Sequence, residues 1–208
     1  MTDALTIKEA AENAARFLPN IQENKMINNN IIFLDIETQH IIQEFEGGWN
    51  KKENYEKLKV AVAGIKCNGE IQLFEEHQTN ELFDYLTNNK CKIVGHNLIN
   101  FDYPVLRPYD ELVKITSLIT KTFDTWQELY KITGHMIGLD DLAKSNNIGI
   151  KKTEDSILIP QMWRDGKHKE VKDYLTNDLN MTEAIYNHGK NTGRFNYYQG
   201  TRFVNVKW

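Results

Sequence analysis

An α/β fold built on a mixed sheet is the class this sequence predicts, and three observations predict it. Ile31–Ile36 is an apolar run, rich in isoleucine and broken only by Asp35, of the kind found in a strand buried on both faces. Two further strand-like runs, Leu58–Cys67 and Glu70–Phe74, are joined by Asn68-Gly69, the strongest short hairpin signal in the chain. Strand-like and helical runs then alternate, as they do where helices pack on the faces of a sheet. A central sheet with an early antiparallel hairpin and flanking helices follows.

The remaining elements are read in order. Leu5 to Leu18 is an amphipathic stretch ending near Pro19, and a polar segment through Asn28, Asn29 and Asn30 follows it. Residues 1–29 are therefore expected to be a helix and linker, and residues 30–208 one domain. Residues 40–57 are polar, contain Gly47, Gly48 and Trp49, and read as a long loop. A helix from about Asn80 to Leu86 and a short strand through Ile93 and Val94 come next. Beyond Asp102 the chain turns mainly helical, with a short strand near Thr120 to Phe123. Leu139–Ser145 and Ile157–Trp163 are expected helices, and Lys167–Asn187 is the longest amphipathic run. The tail, Phe195–Trp208, alternates aromatic and polar residues and is expected to end in a strand.

Composition bounds the function without choosing it. At 208 residues, 40% hydrophobic and 26% charged, the chain can bury a full core. It has no apolar stretch near the roughly 18 residues that a membrane span needs, and no basic-then-apolar start. Cys67 and Cys91 lack C-x-x-C spacing and read as buried free thiols of a reducing compartment, so the expected location is the cytoplasm. A net charge of -4 speaks against a general nucleic-acid coat protein. It is compatible with a metal-dependent nuclease, whose site is itself acidic.

Three short motifs carry the chemistry. Asp35 and Glu37 are two apart on the first strand and so share a face. Two buried acids on one face are costly unless a cation compensates them, although a strand end dipping into solvent would carry the same pair. Asp102 ends Asn97-Leu98-Ile99-Asn100-Phe101-Asp102 and has a rival in Asp84, one residue closer to its own asparagine, Asn80. The Asp102 version follows a strand and Gly95, which places it at the sheet end where ligands of α/β folds collect; Asp84 lies inside a helix. Tyr174 and Asp178 are four apart on a helix, on the face that also carries Val171, Leu175, Thr182 and Ile185. Asp173 falls on the opposite, polar face. A carboxylate on an apolar face needs a partner, either a metal or a hydrogen-bonding and ionic one.

Taken together, Asp35 and Glu37, then Asp102, then Tyr174 and Asp178 resemble the signature of the ribonuclease-H-like 3′-5′ exonucleases of the DEDD superfamily, in the tyrosine (DEDDy) branch. The motif style is similar to that of family B DNA polymerase proofreading domains and of helicase-associated, stand-alone exonucleases. The segments Gly47-Gly48-Trp49 and Gly134-His135…Leu139…Ala143 add to the likeness, which runs from about Ile31 to Trp208. The histidine branch would need histidine at position 173; Asp173 stands there, and His168 is out of register.

The resemblance implies a ribonuclease-H-like mixed sheet and two divalent ions, Mg²⁺ or Mn²⁺. Asp35 would bridge both, Glu37 and Asp178 would hold the one nearer the attacking water, Asp102 would hold the other, and Tyr174 would orient the water. Asn97, Phe101, Trp49 and Thr38 are the candidate substrate contacts. Lys151, Lys152, Lys167 and Lys169 could follow phosphates, and His96 is read as structural. The expected substrate is the 3′ end of single-stranded nucleic acid, DNA in preference to RNA. A helicase or polymerase partner would be a separate chain, no membrane is involved, and a monomer is the default. Two rivals stay open, a non-catalytic nucleic-acid-binding module of the same fold and a metal-dependent endonuclease or phosphatase.

Overall fold

In the computed structural model, residues 30–110, 114–150 and 154–208 are described. β1 (Asn30–Thr38) is the central strand of a five-stranded sheet ordered β3-β2-β1-β4-β5. β2 (Val60–Cys67) and β3 (Glu70–Glu75) run antiparallel on one side of it. β4 (Cys91–Gly95) and β5 (Thr122–Asp124) run parallel to it on the other. The hairpin turns at Asn68-Gly69, whose φ angles of 52° and 84° are the positive pair that a type I′ turn requires. This mixed sheet flanked by helices is the α/β class expected.

Eight helices are described: α1 (Glu53–Glu56), α2 (Thr79–Asn88), α3 (Tyr103–Leu106), α4 (Lys114–Thr120), α5 (Thr125–Thr133), α6 (Leu139–Ser145), α7 (Ile159–Arg164) and α8 (His168–Thr192). Alternation along β1 divides the core between them. Ile32, Leu34 and Ile36 pack against Leu82, Phe83 and Leu86 of α2 and against Ile115 and Leu118 of α4. Phe33 points the other way, with Val62 and Val94, onto Val171, Tyr174, Leu175 and Leu179 of α8. Period two puts Asp35 and Glu37 on this second face, toward α8.

Gly64 sets how closely α8 approaches. It pairs with Asp35 across β1 and β2. A Cβ at Gly64 would lie 2.8 Å from Leu179 Cδ1 and 3.1 Å from Leu175 Cδ2, so α8 crosses the sheet directly over the missing side chain. Asp178 neighbours Leu179 and is thereby carried to the end of β1. A bulge between Glu37 and Thr38 ends the regular pairing beside it.

Four expectations need adjustment. Residues 40–57 hold short helical turns at Ile42–Glu44 and Gly48–Asn50, followed by α1, in place of a plain loop. The Asn54 amide organises them by donating to the carbonyls of Glu46 (3.1 Å) and Gly48 (2.9 Å). α8 runs on to Thr192 and stops at Gly193, whose φ of 64° supplies the left-handed cap. The tail forms a hairpin, β6 (Arg194–Tyr197) and β7 (Arg202–Asn205), turning through Tyr198, Gln199 and Gly200, all with positive φ. It packs with α5 and α6 over Met181 and Ile185. Cys67 and Cys91 are free but only partly buried.

The helix expected over Leu5 to Leu18 and its linker lie outside the described residues. Among the described residues no helix is long and apolar enough to cross a membrane.

Gly64→Ala is expected to cost about 1–3 kcal/mol by overpacking against Leu175 and Leu179. Urea denaturation of the variant and parent measures it.

Candidate active site

The parallel strands β1 and β4 end side by side, and a cleft of about 520 Å³ opens beyond their C-terminal ends. Ligands of α/β sheets occupy this kind of edge. The five candidate catalytic residues and the four candidate substrate contacts all line it: Asp35, Glu37, Asp102, Tyr174 and Asp178, with Thr38, Trp49, Asn97 and Phe101.

Asp35, Glu37 and Asp178 each offer a carboxylate oxygen, and these oxygens lie within 4.8 Å of one another. Three carboxylates so close repel each other, and a divalent ion is a natural counter-charge for such a set. The donor set is all oxygen, which suits Mg²⁺ or Mn²⁺ rather than a thiolate-seeking metal. No lysine or arginine among the described residues lines the cleft.

Asp102 joins from the neighbouring segment. After β4, Asn97 takes a left-handed conformation (φ 73°), which asparagine tolerates, and reverses the chain into a π-helical turn, Leu98–Asp102. Gly95 lets this turn close down, because a Cβ there would lie 2.3 Å from Leu98 Cγ. The ladder between β1 and β4 ends at Phe33 and Val94, so Ile36 has no strand neighbour on that side. Its N–H donates instead to both Asp102 Oδ1 and Asp35 Oδ1, at 3.1 Å each. One shared donor therefore holds these two acids together. Asp102 is 2% exposed, and burial, then the charges of Asp35 and Asp124, push its carboxyl well above the usual carboxylate range.

Tyr174 is buried beside Asp178, to which its hydroxyl is hydrogen-bonded. Burial, then the charges of Asp178, Glu37 and Asp35, raise its phenol far above the ordinary value. It stays protonated throughout the neutral range. The two rival acids lie elsewhere: Asp84 is exposed and pairs with Lys114 at 2.6 Å, and Asp173 is exposed and pairs with Lys169.

The other candidates divide. Trp49 is 55% exposed at the cleft wall, and Phe101 is half-buried against it, with ring centroids 6.2 Å apart. Thr38 is buried, and its hydroxyl donates to the His40 carbonyl at 2.8 Å. His96 is held through both ring nitrogens, by Thr125 Oγ1 at 2.9 Å and the Ile137 carbonyl at 3.0 Å, as a structural histidine would be. Lys167 and Lys169 do not line the cleft, and Lys151 and Lys152 lie outside the described residues.

One buried acid escaped the sequence reading. Asp124 accepts from the N–H groups of Asn97 (2.8 Å), Ile99 (3.0 Å), Trp126 (3.1 Å) and Gln127 (3.2 Å). It caps α5 and anchors the π-turn that carries Asp102. The spacing from Asp124 to Gln127, an acid three before a glutamine at a helix start, was the available signal for the capping half of this role. Trp126, Gly138, Leu139, Ser156, Ile157, Pro160 and Thr182 are among the further wall residues, without a motif of their own.

An acid whose folded pKa is raised weakens the fold fully above that pKa, progressively less as the pH falls below it, and not at all below its unfolded pKa. Asp102→Asn keeps an acceptor for Ile36 N–H and removes the charge. The metal-free variant is therefore expected to melt higher at neutral pH, by about 2–4 °C for each 1 kcal/mol relieved. The gain should shrink as the pH is lowered. Thermal melts in chelator across pH measure both.

No family model matches the chain, and no curated protein does. Among solved structures the chain is similar to a crystal structure of exonuclease I in complex with the inhibitor BCBP. Identity is 12% and the TM-score 0.46, over 80% of this chain and 42% of that one. The chain thus spans less than half the length of that protein.

Proposed function

We propose that this chain is a metal-dependent 3′-5′ exonuclease that hydrolyses single-stranded nucleic acid, DNA in preference to RNA, and releases nucleoside 5′-monophosphates. The observation that carries the reading is the convergence of Asp35, Glu37 and Asp178 within 4.8 Å, with Asp102 tied to Asp35 through one backbone N–H. Polarity and product come from the motif resemblance.

The residues take unequal parts. Asp35 stands between the two groups of acids and would share in holding both ions. Glu37 and Asp178 would hold one with it, and Asp102 the other. Two divalent ions so held supply positive charge to the phosphate oxygens and lower the pKa of a water. Tyr174, whose single hydroxyl proton goes to Asp178, would orient the water by accepting a hydrogen bond at its oxygen; protonated, it cannot act as the base. Water adds to phosphorus, the bond from phosphorus to the leaving 3′ oxygen breaks, and that oxygen takes up a proton. Trp49 and Phe101 offer ring surface to the terminal bases, and Asn97 offers its side chain at the same wall.

Digestion of 3′- and 5′-labelled single-stranded DNA and RNA tests this. Label at the 3′ end should leave first as mononucleotide with Mg²⁺ or Mn²⁺, and none should leave in chelator. Asp35→Ala should lower turnover by more than about a hundredfold, since it removes a shared ligand. Tyr174→Phe should lower kcat by about tenfold or more with metal affinity retained. Cutting of a circular single strand, or full activity in Asp35→Ala, would refute the reading.

A further inference from the structure

A second cavity, about 450 Å³, adjoins the cleft at Trp49, which lines both. The π-turn is divided between them: Ile99 and Asn100 face the second cavity, Phe101 and Asp102 the cleft. Trp49, Tyr55 and Phe101 form a triangle with centroids 6.0, 6.2 and 6.1 Å apart, every pair tilted or edge-on. These contacts brace Trp49 while more than half of it stays open to solvent. Lys52 and Arg107, both exposed, stand at the same cavity, and no carboxylate among the described residues forms an ion pair with either. Glu56 is the one acid on the lining, and it is exposed.

An aromatic platform beside unneutralised cations is the combination that binds single-stranded nucleic acid without reading its sequence. The rings stack on bases of any kind, and the cations follow the phosphates. More than half of Trp49 stays exposed, ring surface that its packing against Tyr55 and Phe101 does not use. The volume is in the range of small-ligand sites, enough for a nucleotide unit.

Resting on the exonuclease reading above, we propose that this groove is a second nucleic-acid subsite. It holds the nucleotides that precede the 3′ terminus while the terminal phosphodiester lies among the carboxylates. The strand passes over Trp49, stacks there and on Tyr55, and sets its phosphates against Lys52 and Arg107. Asn100 offers an amide to the same stretch. The substrate is accordingly a strand of several nucleotides, and the shortest fragments are held by the cleft alone.

The test compares oligothymidylates of two, four and eight nucleotides on the wild type and on a Lys52→Ala, Arg107→Ala double variant. Both side chains are exposed and outside the cleft, so the variant should fold as the parent does. For the wild type, KM should fall by about tenfold or more as the strand lengthens, as one added stacking contact allows. The double variant should erase most of that fall while leaving kcat, and KM for the two-nucleotide substrate, unchanged. In chelator, anisotropy of the labelled eight-nucleotide strand should show a salt dependence of log Kd shallower by about 1.4 in the variant, the release expected for two phosphate contacts to a single strand. A KM independent of length, or a variant with the parent's length and salt dependence, would overturn the subsite. If the wild type hydrolyses none of the three, the nuclease reading falls, and anisotropy alone then decides the groove by the same salt slope.

Discussion

The crossing of α8 over Gly64 determines where the acids of the cleft stand. β1 delivers Asp35 and Glu37 to one face by simple alternation, but the face would be open to water without a helix against it. Because β2 has no side chain opposite Asp35, Leu175 and Leu179 lie flat on the sheet. The helical repeat then brings Tyr174 and Asp178 to the strand's end on the same side. Distance among the three carboxylates is thus a consequence of backbone contact between helix and sheet, a contact that close packing makes hard to adjust.

Charge is the second constraint, and the fold answers it with backbone donors. Asp124 is satisfied by four N–H groups and so is settled within the protein. Asp102 shares the Ile36 N–H with Asp35, and burial, then the charges of Asp35 and Asp124, drive its carboxyl up. Asp124 therefore acts as scaffold for the turn that presents Asp102. The acids of the cleft are left as a negatively charged set whose natural complement is a divalent cation. Burial first, and then the same field, keep the proton of Tyr174 in place.

Much of this was legible in the chain because the signals were local. Alternation marks β1, Asn68-Gly69 marks the hairpin, and the apolar face of Lys167–Asn187 separates Asp178 from Asp173. Asp102 could be preferred to Asp84 because a strand and a glycine precede it, and Asp84 proves to be exposed and paired with Lys114. What was not legible depends on contacts between distant residues. Val60–Cys67 reads simply as a strand, and nothing in it says that a helix more than a hundred positions later will lie on Gly64. Asp124 shows its capping role locally, but its hold on Asn97 and Ile99 spans more than twenty residues. Residues 40–57 look like a loop by composition, since the Asn54 amide bonds that order them appear only once the segment has closed on itself.

Crystals grown with Mn²⁺ give the most direct measurement of the central claim, because manganese is located by its own anomalous scattering. The account predicts one anomalous peak within coordination distance of Asp35, Glu37 and Asp178, and a second bound by Asp102 and Asp35. Saturating Mn²⁺ with no peak at these carboxylates, or with peaks only elsewhere on the chain, would contradict it.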